Sequence, residues 1–148
     1  MEYDFQELTF DELSSAKVKQ LYTYWNKKRG NRVYPSLADI NLSEIPEIEP
    51  HLAFAEVHYS PFKIKCVWVG RQMIQYYKRD FTGEWLHEIF SGGMLRYIEV
   101  LHRIAMTHPL PLLGREELPG EAVCEWGIFP LSDNGTIINC NLVIEDQE

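Results

Sequence analysis

FKIKCVWVGRQMIQYYKRDFTGEWL, residues Phe62 to Leu86, is the stretch on which the fold turns. It reads as a strand ending at Val69-Gly70, then a short helical segment from Arg71 to Tyr77. An Arg79-Asp80-Phe81-Thr82-Gly83 loop follows and opens a further helix. Within the strand, Ile64, Cys66 and Trp68 share one face, and Lys63, Lys65 and Val67 share the other. Alternation of this kind predicts one buried face and one partly wet face. Immediately upstream, HLAFAEVHY (51–59) is a second strand, joined through a turn at Ser60-Pro61 into a hairpin.

Working outward, the N-terminal third carries a helix. Thr9 and Glu12 have capping-box spacing, and Val18, Leu21, Tyr22 and Trp25 recur as an apolar stripe. Lys27, Lys28 and Arg29 complement the negative end of the helix dipole, and Gly30 is a natural stop, so the helix is expected over about residues 10–29. Residues 31–50 hold Pro35, Pro46 and Pro50 and are expected to be extended, with room for one helical turn at Ser36–Asp39. A second helix is expected from Gly93 to His108, with Met94, Ile98, Leu101 and Ala105 on its apolar face and Pro109 and Pro111 ending it. A short strand around 112–118 follows.

The last third reads as a hairpin, Ala122–Leu131 and Thr136–Ile144, around Asp133-Asn134-Gly135. A two-residue turn pairs Phe129 with Cys140. A three-residue loop pairs Ile128 with Cys140 and Trp126 with Leu142, and it gathers Trp126, Ile128, Ile138, Cys140 and Leu142 on one apolar face. Because register follows the face that can be buried, the three-residue loop is the expectation. The element order predicts an α+β fold with an antiparallel sheet.

Composition narrows the class. The 148 residues are 45% hydrophobic and 24% charged, which fits one globular domain. A net charge of −8 argues against a general nucleic-acid binder, since phosphate contacts need a basic surface. No apolar run is long enough to span a bilayer and the N-terminus does not read as a signal peptide, so a cytoplasmic location without membrane contact is expected. The three cysteines, Cys66, Cys124 and Cys140, are odd in number, lack C-x-x-C spacing and sit in strand patterns, so they read as buried thiols.

Several short motifs, taken in order, resemble the family of short, stand-alone bacterial PAS proteins. They are the Leu21–Trp25 helix end, the Arg29-Gly30 break, Pro35-Ser36, Ala38-Asp39, Ile45-Pro46 and Pro50-His51-Leu52. Val69-Gly70, Arg79 to Gly83 and Pro130 to Gly135 continue the series, which covers about residues 18–144. The resemblance implies a five-stranded antiparallel sheet with helices packed over one face, a small-ligand pocket between sheet and helices, or a protein–protein contact surface. It divides the chain into an N-terminal helix for dimerisation or partner contact (1–32) and a PAS-like sensor domain (33–148). It implies a homodimer, signalling proteins as partners, and no catalytic residues.

The candidate pocket residues are Cys66, Trp68, Ile98, His102, Trp126 and Cys140. The candidate interface is Val18, Leu21, Tyr22 and Trp25, whose stripe could equally pack on its own sheet. His102, on the shoulder of the second helix, is the candidate axial ligand if the resemblance extends to haem, with a satisfied buried histidine as the alternative. Trp68 and Trp126 read either as stacking surfaces for a flat ligand or as plain core. No H-E-x-x-H, Walker loop, dinucleotide glycine pattern or G-x-S-x-G is present. The leading expectation is therefore a sensory module. A ligand-free adaptor, or a small enzyme using histidine–carboxylate chemistry at His58 or His102, are the alternatives.

Overall fold

The computed structural model describes residues 4–108 and 110–147, and for Glu121 the backbone alone. It shows an α+β chain built on one antiparallel sheet. The strands are β1 (Gln6–Glu7), β2 (Leu52–His58), β3 (Lys63–Val69), β4 (Glu84–Trp85), β5 (Leu112–Glu117), β6 (Val123–Leu131) and β7 (Cys140–Gln147). Their spatial order is β1-β5-β6-β7-β2-β3-β4. The sheet has seven strands rather than the expected five, because two-residue strands close both edges and leave five longer strands between them. The helices are α1 (Ala16–Arg29), α2 (Arg71–Tyr77), α3 (Leu86–Ile89) and α4 (Gly92–Thr107).

Helix α1 starts later than its sequence suggests. Thr9 and Glu12 do form a capping box, but it closes a 3-10 turn, Phe10–Glu12. Ser15 caps α1 itself, its Oγ accepting from the Val18 amide at 3.1 Å. The same hydroxyl donates to the buried Asp146 carboxylate at 2.6 Å, while the Ser14 and Ser15 amides donate to Glu125. Arg115 pairs with that Glu125 carboxylate. The helix N-terminus is thus held on the sheet by two carboxylates that face each other across β6 and β7. At the other end Trp25 Nε1 donates to the Pro130 carbonyl at 2.9 Å.

The stripe on α1 is consumed by this docking. Val18, Leu21 and Trp25 are each 0% exposed and pack with Leu52, Phe129, Leu131 and Leu142. The expected interface of Val18, Leu21, Tyr22 and Trp25 is therefore corrected. Its three strongest anchors lie inside the chain's own core, and only Tyr22 keeps partial exposure, against Phe10 and Phe129. For the same reason the described part of the expected N-terminal unit, residues 4–32, packs on the sheet and does not stand apart from it.

With α1 on one face and α2 to α4 on the other, the sheet is buried on both sides. This overturns the expected β6–β7 register. The pairs are Leu131 with Cys140, Phe129 with Leu142, Ile128 with Val143 and Trp126 with Glu145. Trp126 and Ile128 face α4, whereas Cys140 and Leu142 face α1. A rule that buries one apolar face cannot choose a register when both faces are covered. The connecting loop is correspondingly longer: Asn134 Oδ1 accepts from the Thr136 and Ile137 amides, and Asn139 Oδ1 from the Asp133 amide. Residues 31–51 hold three 3-10 turns, Leu37–Asp39, Leu42–Glu44 and Glu49–His51, instead of the one expected at Ser36–Asp39. Gly70 is required where they meet the sheet, since a Cβ there would lie 2.5 Å from the Pro50 carbonyl oxygen. Helix α4 matches its expected span within a residue; of the prolines expected to end it, Pro109 lies outside the described residues.

Removing the Trp25 side chain is expected to cost about 3–5 kcal/mol in urea unfolding, as for a large side chain lost from a closed core. That is a large share of the roughly 5–15 kcal/mol a domain possesses. The pair Leu21→Glu with Trp25→Ala should accordingly lose its circular dichroism signal, not yield a folded monomer.

Candidate functional site

Between the sheet and α2, α3 and α4 lies a partly open cavity of about 270 Å3. Its floor includes Ala53 and Ala55, neighbouring small side chains on the cavity face of β2. Interiors otherwise pack to crystal-like density, so two alanines beneath a helix leave space that larger residues would fill. Its roof is the apolar face of α4, with Met94, Ile98 and Leu101, and its side wall is Met73, Tyr76 and Tyr77 of α2. Phe81, Leu86 and Phe90 close the α3 end.

Polar groups gather at two places along β7. At one, Glu145 accepts a hydrogen bond from Tyr77 Oη at 2.7 Å, and Glu116 on β5 accepts one from Tyr97 Oη. Burial drives the Glu145 carboxyl above its ordinary range, opposed by the Tyr77 hydrogen bond. Glu145 is half-buried and lines the cavity. Burial, reinforced by the nearby Glu145 charge, likewise raises Tyr77 well above the usual phenol range. At the other place His102 is 4% exposed, and its Nδ1 lies 2.9 Å from Asn141 Nδ2. With the Asn141 amide donating, the neutral ring carries its proton on Nε2, which has no hydrogen-bond partner among the described residues. Burial pushes His102 down to about 4, so the imidazole is neutral at physiological pH. Two buried polar atoms, Trp126 Nε1 and Asn141 Oδ1, have no partner among the described residues.

Four of the six expected pocket residues meet here: Cys66, Ile98, His102 and Trp126. Trp68 and Cys140 are corrected to the opposite face, where they border a shallow groove with Phe54 and Leu37. For Trp68 the cause is a β-bulge. Phe54 pairs with Trp68 but Ala55 pairs with Cys66, so Val67 is the extra residue and is 39% exposed. One extra residue reverses the alternation beyond it. Cys140 moves with the β6–β7 register described above. Sequence reasoning missed Glu116, Glu145, Tyr77, Tyr97 and Asn141. The only signal for the β7 pair was the spacing of Asn141, Val143 and Glu145 at alternate positions.

The Cys66 thiol is pushed up to about 12 by burial and Cys124 higher still, so both are protonated and neither is a nucleophile at neutral pH. His58 pairs with Glu56 on the other side of the sheet, away from the cavity. Among the described residues no group of three or more His, Cys, Asp or Glu side chains could hold a metal ion. No helix among the described residues is long and apolar enough to cross a membrane. In comparisons with known proteins, no family model, no curated protein and no solved structure matches the chain.

A neutral buried histidine makes stability depend on pH with a definite sign. The unfolded chain protonates His102 near 6.5, while the folded chain resists protonation down to about 4. Folding stability therefore falls as pH drops through that window, by up to about 3 kcal/mol for this group. Glu145, shifted upward, acts in the opposite sense as pH falls. The difference between the wild type and His102→Gln in urea melts from pH 7 to pH 4 isolates the histidine, and the variant should lose less stability on acidification.

Proposed function

We propose that this chain is a PAS-like sensory module that binds a small molecule in the cavity beneath α4 and passes the signal on through contact with another protein. The observation that carries the reading is an apolar cavity into which a few polar groups converge, His102 and the Glu116–Glu145 pair foremost. Supporting it are the five longer antiparallel strands with helices over the cavity face, the arrangement that the sequence resemblance implies. The chain departs from that expectation in the second helical layer: α1 seals the opposite face and is not a free dimerisation arm. Homodimerisation or a signalling partner therefore has to engage surface other than the α1 stripe.

The reading is of a binding protein, not an enzyme, because the cavity combines protonated thiols, a neutral histidine and phenol-bound carboxylates without an activated nucleophile. A ligand-free adaptor is the competing reading, and it predicts a cavity that stays empty.

Protein purified without refolding and measured by native and then denaturing mass spectrometry should carry a defined non-covalent mass. Ile98→Trp, which fills the cavity from the α4 side, should remain folded and lose that mass. A wild-type protein at its bare chain mass would favour the adaptor.

A further inference from the structure

The cavity's charge is one-sided. Glu116 and Glu145 line it, and no Lys or Arg does among the described residues. The two carboxylates sit on one sheet face, on β5 and β7, with Cys124 and Trp126 of β6 between them. Each has one phenolic hydroxyl donating to it, from Tyr97 and Tyr77. The remaining Glu145 oxygen, Oε1, is met at 3.9 Å by the Cys124 thiol, a weak donor. The phenol, the thiol and the Gln147 side chain, which also hydrogen-bonds Glu145, are all neutral and leave the negative charge itself uncompensated, and burying a carboxylate without a counter-charge is costly. The carboxyl's upward shift is a consequence of that arrangement.

The surrounding surface is aromatic: Tyr76, Tyr77, Phe81, Phe90, Tyr97 and Trp126 all line the cavity. Ring faces carry negative potential and attract organic cations, the more so when water is excluded. Four residues along β7 from Glu145, Asn141 holds His102 through Nδ1, which leaves Nε2 without a partner among the described residues. That is a separation of about 13 Å along a strand. The cavity is marked independently of the carboxylates by His102, 4% exposed and partnered among the described residues through Nδ1 alone, and by Trp126 Nε1, a buried donor without a partner among them.

On the ligand-binding reading above, we propose that the cavity selects an organic cation: an amine on a small aromatic or aliphatic body, its ammonium against Glu116 and Glu145 and its body among the rings beneath α4. A hydroxyl or carbonyl at the far end of such a molecule would accept from His102. An anionic ligand of the same shape would place like charges together in a low-dielectric site and be rejected.

Three probes of nearly equal size separate charge from shape: 2-phenylethylamine, 2-phenylethanol and 3-phenylpropanoate, titrated calorimetrically into the full chain at neutral pH. The amine should bind about ten- to a hundredfold more tightly than the alcohol, the range of one or two charge-assisted hydrogen bonds, and the carboxylate should not bind. Glu145→Gln and, separately, Glu116→Gln should each weaken the amine by about tenfold while leaving the alcohol unchanged. Circular dichroism confirms the fold of each, and either variant suffices if the other does not fold. Equal or tighter binding of the alcohol or the carboxylate overturns the amine assignment and leaves the pocket in place, as does amine binding indifferent to both substitutions. Failure of all three probes also overturns it. The pocket reading falls with it only if the purified protein carries no bound mass as well.

Discussion

Burial of the sheet on both faces is the constraint from which the rest of this structure follows. Helix α1 can serve as the second layer only because its N-terminus is tied to Glu125 and Asp146 and Trp25 reaches the Pro130 carbonyl. Once α1 is seated, Phe129, Leu131, Leu142 and Ile144 have a core on that side. Trp126, Ile128, Val143 and Glu145 are then left for the other side, which sets the floor of the cavity. Breaking the α1 contacts would therefore act on the site through the sheet, although no residue of α1 lines the cavity.

The cavity exists because small and large residues are unevenly distributed over that floor. Ala53 and Ala55 leave room, and Trp126 lies flat over Gly114, where a Cβ would come within 2.2 Å of the indole. A pocket so formed is apolar over most of its surface, which makes each polar group within it consequential. His102 is held neutral and oriented by Asn141, and two carboxylates are held by phenols instead of cations. Such groups are expensive in a core unless their hydrogen bonds are completed.

Local elements were legible because they depend on local rules. The strand ending at Val69-Gly70, helix α2 from Arg71 to Tyr77 and the span of α4 are each dictated by period, glycine and capping signals within a few residues. Two of the five residues that α4 gives the site, Ile98 and His102, were named from the same periodicity. Trp68 was not, because a single unpaired residue, Val67, reverses its face without altering the composition of the strand. Cys140, Glu145 and Asn141 depend on a register that local alternation could not select.

The sequence by itself determined the class of fold, the order and type of its main elements, and the presence of buried thiols without catalytic spacing. These rest on short-range stereochemistry and on composition. Only the tertiary structure decided where α1 goes, which face each strand residue occupies, and that two acidic side chains from strands far apart in the chain border one aromatic cavity. Those facts are set by competition between two helical layers for the two faces of one sheet, and that competition has no signature within any single segment.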